Sequence, residues 1–172
     1  NVYVVACADT RSALLVDAGS FEPEMRAFLQ DTQLGLKQVF ITHNHYDHTD
    51  GLRDIETAFN PVLLGHHQFP GSKARRVAHG DVIRVGNLEA RVLDTSGHTP
   101  DSFSLYFPGL VFTGDALFAG SVGGTSSPAA ASRQLTNIRN QLLTLPGDTE
   151  VHPGHGPATT IAMEKQYNPF LS

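Results

Sequence analysis

The sequence predicts an α/β fold, and three observations carry that prediction. Short β-branched and aromatic runs bounded by turn residues recur along the chain. Stretches with apolar residues at helical spacing lie between some of them. Residues 43–48, His43-Asn44-His45-Tyr46-Asp47-His48, put three histidines and a carboxylate where one such run ends and a helix begins. Open α/β sheets place ligands at edges of that kind.

Taken in order, Val2-Tyr3-Val4-Val5-Ala6 reads as a strand, paired with Leu14-Leu15-Val16 across the polar turn Asp9-Thr10-Arg11-Ser12. The second strand ends in Asp17-Ala18-Gly19. Residues 23–34 are expected to be helical, with Pro23 in the first turn and Met25, Phe28 and Leu29 on one face. Val39-Phe40-Ile41-Thr42 is a buried strand leading into the histidines. Thr49 or Asp50 is placed to cap the following helix, from about residue 51 to 59. A short strand at 62–64 follows. Gly65-His66-His67-Gln68-Phe69-Pro70 then reads as a loop with surface histidines, and Lys73-Ala74-Arg75-Arg76 as a solvated turn. Residues 81–93 alternate about Gly86-Asn87, a hairpin pattern. A second hairpin, residues 103–113 about Pro108-Gly109, delivers Gly114-Asp115. A helix over 134–145 presents Leu135, Ile138, Leu142 and Leu145 on one face, and a last strand at 150–152 runs into Pro153-Gly154-His155-Gly156.

At 172 residues the chain is long enough for one domain with a substantial core. Acidic residues outnumber basic ones 17 to 12, with no basic run beyond Lys73-Ala74-Arg75-Arg76, which argues against a nucleic-acid partner. Cys7 is the only cysteine, so no internal disulfide can form; it reads as a small buried hydrophobe in a reducing, cytoplasmic compartment. No signal peptide and no stretch of membrane-spanning length is evident, so no membrane association is expected.

The histidine cluster suits a divalent cation such as zinc, which takes imidazole nitrogens and carboxylate oxygens. His43 and His45, two apart on an extended segment, can aim at one ion, while Asp47 and His48 on the turn point differently and can hold a second. Three further strand ends carry one potential ligand each, His98, Asp115 and His155, every one beside a glycine that permits tight turning or close approach. No G-x-S-x-G elbow is present and the single cysteine is far in sequence from any histidine, so a metal is left to do any chemistry.

In order and spacing these residues resemble the metallo-β-lactamase superfamily, in its glyoxalase II-like, short single-domain bacterial branch. Residues 111–120 and the tail Tyr167-Asn168-Pro169-Phe170-Leu171 are similar to that branch as well. The resemblance implies a four-layer αββα sandwich, two mixed sheets face to face with helices outside. It assigns His43, His45 and His98 to one metal ion, Asp47, His48 and His155 to the other, and Asp115 as the bridge between them. Two divalent ions, zinc in the first place with iron or manganese as alternatives, are the implied cofactors. Asp17 is the candidate group bracing the histidine loop, with a plain turn Asp as the other reading. Asp47 would orient a hydroxide or carry its proton. Tyr46 and Phe118 are candidate substrate contacts, Tyr46 being equally readable as a packed side chain.

The implied activity is hydrolysis of a small-molecule thioester such as a hydroxyacylglutathione, by attack of a metal-bridging hydroxide on the carbonyl. A mononuclear-iron glutathione persulfide dioxygenase, using His43, His98 and Asp115, is the alternative within the superfamily. A metal-free binding module on the same fold is the other. Two departures from the branch stand out. Its usual Gly-Arg-Thr-Asp is Gly123-Gly124-Thr125-Ser126 here, and the helical C-terminal domain with which full-length glyoxalase II grips glutathione is not expected, since these residues account for the metallo-β-lactamase-like domain alone. The family's first strand is also expected to start upstream of Asn1.

Overall fold

The computed structural model describes residues 1–66 and 74–171. Its elements in chain order are β1 (Tyr3–Ala6), β2 (Ser12–Val16), α1 (Pro23–Asp31), β3 (Gly35–Phe40), α2 (Leu52–Phe59), β4 (Val62–Gly65) and β5 (Ala74–Arg76). There follow β6 (Val82–Val85), β7 (Leu88–Asp94), β8 (Phe103–Phe107), β9 (Leu110–Gly114), β10 (Leu117–Phe118) and β11 (Ser121–Val122). The chain closes with α3 (Pro128–Asn137), β12 (Glu150–Pro153), β13 (Thr159–Thr160) and α4 (Ile161–Tyr167).

Two mixed sheets result. One runs β1-β2-β3-β4-β5, the other β13-β12-β9-β8-β7-β6, and β10-β11 form a separate small hairpin. β2 through β5 are parallel and β1 joins them antiparallel. In the second sheet only β9 and β12 are parallel.

Three apolar layers explain the stacking. Leu14, Val16, Phe40 and Leu64 of the first sheet meet Ile83, Val85, Val92, Leu105 and Phe112 of the second. On its other face the first sheet packs Leu15, Val39, Ile41 and Leu63 against Leu29 of α1 and Ile55 of α2. The second sheet packs Leu93, Val111 and Val151 against Leu117, Ile138, Leu142 and Ile161. β2 therefore buries alternate residues on opposite faces, which is why Ala13-Leu14-Leu15-Val16 is continuously apolar rather than alternating. Ile55 is the one fully buried side chain of α2, so truncating it costs roughly 2–5 kcal/mol.

Several local expectations are corrected. The strand expected at residues 39–42 starts at Gly35 and stops at Phe40, because Thr42 turns its N–H to the Asp17 carboxylate, 2.8 Å away. Neither Thr49 nor Asp50 caps α2. A 3₁₀ turn, Tyr46–His48, intervenes, Thr49 Oγ1 bonds back to the His45 carbonyl at 3.0 Å, and Gly51 stands at the helix start. α1 ends at Asp31 and leaves Phe28 half exposed; Leu29 is the residue it buries. α3 begins six residues before Gln134, where Ser127 accepts from the Ala130 N–H at 3.2 Å ahead of Pro128. Beyond Asn137 the helix widens to a π-helical segment, Ile138–Leu142, which buries Ile138 and Leu142 and leaves Leu135 and Leu145 half-buried. Ala74–Arg76, expected in a turn, form edge strand β5. Lys73 and His67 lie outside the described residues. Cys7 is buried and free, as expected.

Candidate metal centre

Strand ends from both sheets converge at one edge of the sandwich. β2 and β3 are parallel neighbours with Val16 opposite Phe40, so Asp17 and Thr42 leave the sheet side by side. Asp17 takes a left-handed backbone, φ 59°, which Asp tolerates better than most residues. That conformation turns its buried carboxylate onto Thr42 and the histidine turn. Oδ1 accepts from Thr42 N at 2.8 Å, and Oδ2 accepts from Thr42 Oγ1 at 2.9 Å and from His48 Nδ1 at 2.7 Å.

These bonds fix which nitrogen of each imidazole is free. Thr42 Oγ1 gives its hydrogen to Asp17 and so accepts from His43 Nδ1, 3.1 Å away, leaving the lone pair of His43 on Nε2. His48 spends Nδ1–H on Asp17 and likewise presents Nε2. His98, in the turn after β7, donates Nδ1–H to the Gly124 carbonyl at 2.6 Å and presents Nε2.

The presented atoms form clusters. His43 Nε2 and His98 Nε2 lie 3.0 and 3.1 Å from His45 Nδ1. His48 Nε2 lies 3.7 Å from Asp47 Oδ2, and His155 Nε2 3.0 Å from the same oxygen. Between the two groups stands Asp115, at the end of β9. Its Oδ1 is 3.3 Å from His48 Nε2, and its Oδ2 is 3.7 Å from His98 Nε2 and 3.6 Å from His155 Nε2. Asp115 and His155 are neighbours because β9 and β12 run parallel with Gly114 opposite Pro153. Gly154 makes this approach possible, since a Cβ there would collide with Asp115 Oδ1 and His48 Cε1.

Electrostatics show what the clusters lack. His48 Nε2 and Asp115 Oδ1 are buried acceptors facing each other, each without a hydrogen-bond partner of good geometry. Such a pair calls for a cation between them. From the protein groups alone that cation is a proton: burial opposes it, but the carboxylates of Asp115 and Asp17 prevail and raise His48 to about 10. Burial would raise Asp115, but the His48 imidazole 3.3 Å away outweighs it and lowers the carboxyl. His43 is pushed down to about 2 by burial and by neighbouring histidines, so it stays neutral with its lone pair available. Imidazole lone pairs and carboxylate oxygens converging without a donor make a set that fits divalent metal ions.

Every residue expected from the sequence at this centre is brought to it: His43-His45-His98, His43-His48-Asp115 and Asp47-His48-His155 each form a metal-competent group. Phe118 packs edge-on against His155 with ring centroids 6.2 Å apart. Tyr46 is 74% exposed and tied to Asp50, whose carboxylate raises the phenol, so it is not a packed side chain. A cavity of about 250 Å³ opens against His98, lined by Pro100, Ser126, Ser127, Ala130 and Arg133. His66, expected at the surface, packs on Phe103 and lines a second cavity with Arg76 and His79.

Two contributors were not anticipated: the Thr42 hydroxyl, which links His43 to Asp17, and the Gly124 carbonyl, which orients His98. Thr42 carried a signal, a hydroxyl at the mouth of a strand beside a buried histidine. A backbone carbonyl carries none. Because Gly124 acts through its backbone, and the space at its Cβ position is open, the missing arginine does not disturb this bond. Among the described residues no helix is long and apolar enough to cross a membrane.

The chain is similar to known proteins over most of its length. The hydroxyacylglutathione hydrolase of Idiomarina loihiensis is 32% identical over 90% of this chain, and the match spans 60% of that relative's length. The crystal structure of ETHE1 from Myxococcus xanthus superposes with a TM-score of 0.86 at 36% identity, covering 98% of this chain and 77% of that one. TTHA1623 in a di-iron-bound form superposes with a TM-score of 0.85 at 30% identity, covering 99% of this chain and 94% of that one. The family model of the metallo-β-lactamase superfamily matches residues 1–155, and the chain belongs to that superfamily.

Proposed function

We propose that this protein is a metal-dependent hydrolase of small thioesters. The observation that carries the reading is the pair of donor clusters joined by Asp115, in which buried acceptors face one another with no donor between them. His43, His45 and His98 would hold one ion, Asp47, His48 and His155 the other, and Asp115 both. A relative in a di-iron-bound form supports two ions, and a relative named hydroxyacylglutathione hydrolase supports the thioester. Ions bound there supply a water that ionises near neutral pH and a Lewis acid for the carbonyl oxygen.

The remaining steps belong to the chain. Asp47, more exposed than Asp115 and 3.0 Å from His155, would orient the attacking water and take its proton. Asp17 and Gly124 hold His48 and His98 in the tautomers that present Nε2. Phe118 forms an apolar wall beside His155, and the solvent-facing Tyr46 reaches the substrate only at the rim. A thiolate leaves without a protein acid, since a thiol pKa is ~8.5. Substrate enters from solvent on the side of the cavity at His98.

The test is metal content per chain by elemental analysis, followed by hydrolysis assays on a thioester panel beginning with lactoylglutathione. Two ions and turnover of at least one thioester are expected. One iron per chain, with oxygen uptake on glutathione persulfide and no thioester turnover, would replace this reading with the dioxygenase. A chain that binds no ion after reconstitution with zinc and with iron would overturn both.

A further inference from the structure

Gln134, on α3, is 1% exposed and is not itself a candidate ligand. It lies where three loops meet, two bearing the candidate ligands Asp115 and His98 and one bearing the Gly124 carbonyl that orients His98. Its Nε2 donates to two backbone carbonyls at once, Ala116 O and Gly123 O, each at 3.1 Å. Ala116 directly follows Asp115. Gly123 directly precedes Gly124, whose carbonyl receives Nδ1–H of His98. The third loop is held by contact: Gly97, at φ +150°, lies so close that a Cβ there would collide with Gln134 N, Cα and Cβ, and His98 is the next residue.

The amide is committed in one orientation. Both Nε2 hydrogens are taken, and Oε1 is buried without a hydrogen-bond partner. Turning the amide over would set that oxygen against two carbonyl oxygens, so the double donation decides the rotamer. Room for anything else is short: a Cβ on Gly123 would collide with Asp115 O and crowd His98 Nδ1. By contrast, His48 is held by Asp17 and His155 follows β12, and the Gln134 amide donates to neither.

We propose that Gln134 is a positioning residue of the metal centre, its single amide setting the loop that aims His98 against the loop that aims Asp115. The inference rests on the metal-centre reading, and it makes a selective claim. Loss of the two donors disturbs His98 and leaves His48 in place.

Two variants of the full chain test it. Gln134→Met keeps the length and removes both donors; Gln134→Glu keeps the shape and turns acceptors toward both carbonyls. Histidine side-chain ¹⁵N–¹H spectra of metal-free protein follow the Nδ1–H of His98 and of His48 separately. In both variants the His98 signal should vanish or split between tautomers while the His48 signal persists. Zinc titration against a chromophoric chelator should show one of the two sites weakened ~10- to 100-fold, the usual cost of an outer-shell change. An unchanged His98 signal, an equal loss at His98 and His48, or near-normal zinc binding by Gln134→Glu would overturn the proposal. Should either variant fail to fold, the wild-type side-chain amide of Gln134 decides: two slowly exchanging protons are expected, and rapid exchange refutes the double donation. If wild-type protein binds no zinc, the metal-centre reading falls, and the His98 spectrum still settles whether Gln134 positions that ring.

Discussion

Asp17→Asn isolates what one carboxylate does beneath the centre. The backbone at position 17 is left-handed, φ 59°, and Asn tolerates that region as well as Asp does, so the fold is not strained by the change. What changes is one atom. The native carboxylate accepts three hydrogen bonds, from Thr42 N, Thr42 Oγ1 and His48 Nδ1. An amide can accept on one side only. If its NH₂ faces Thr42 N, two donors oppose each other in a buried site; if it faces His48, the imidazole must shift its proton to Nε2, the atom offered to the metal. The second costs less, because a histidine can exchange tautomers and a backbone N–H cannot. Asp17→Asn should therefore weaken zinc binding at the proposed site of Asp47, His48 and His155 by ~10- to 100-fold, or about 1.4–2.7 kcal/mol at 1.36 kcal/mol per decade. The assay is zinc competition with a chelator, beside urea unfolding of the metal-free variant to confirm that it is folded. Zinc binding within about threefold of wild type would refute the argument that Asp17 sets the His48 tautomer.

Other perturbations test neighbouring links. Asp115→Ala removes the one carboxylate among the described residues that faces both clusters, so ion content should fall toward zero and activity with it; an active, metal-replete variant would refute the bridging role. Gly154→Ala drives a methyl into Asp115 Oδ1 and His48 Cε1. It should lower stability by ~1–3 kcal/mol, as overpacking does, and lower ion content below two, measured by thermal unfolding and elemental analysis. Stripping the ions with a chelator should lower the melting temperature, because an ion present at 1,000 times its Kd adds ~4.1 kcal/mol per site. For a chain of this length that is a drop of ~8–16 °C per site, and an unchanged melting curve would show that no ion is bound in the folded state.

How much of this was legible beforehand differs by kind of feature. The donor residues stood out because metal chemistry is specific about residue type: His43, His45, Asp47 and His48 crowd one turn, and His98, Asp115 and His155 each follow a glycine-marked strand end. Both hairpins were visible through their turn chemistry at Gly86-Asn87 and Pro108-Gly109. Helix limits were less so. Ser127-Pro128 is a start signal that lies a full helical turn or more before the apolar face of Leu135, Ile138 and Leu142, and the π-helical widening at Ile138 breaks the period on which such a face is read. The two-residue strands β10, β11 and β13 are too short to show a period, and β5 is hidden by its charged residues.

By itself, then, the sequence determined the family, the layered α/β plan and which side chains could bind a metal, because those depend on residue type, order and local pattern. Only the tertiary structure decided how those side chains are aimed. The pairing of β2 with β3 puts Asp17 under Thr42 and His48, and the pairing of β9 with β12 puts Asp115 beside His155. Gln134 reaches across from a helix to two loops, and a Gly124 carbonyl orients His98. Hydrogen bonds between groups tens of residues apart depend on register and packing, to which no local pattern in the chain refers.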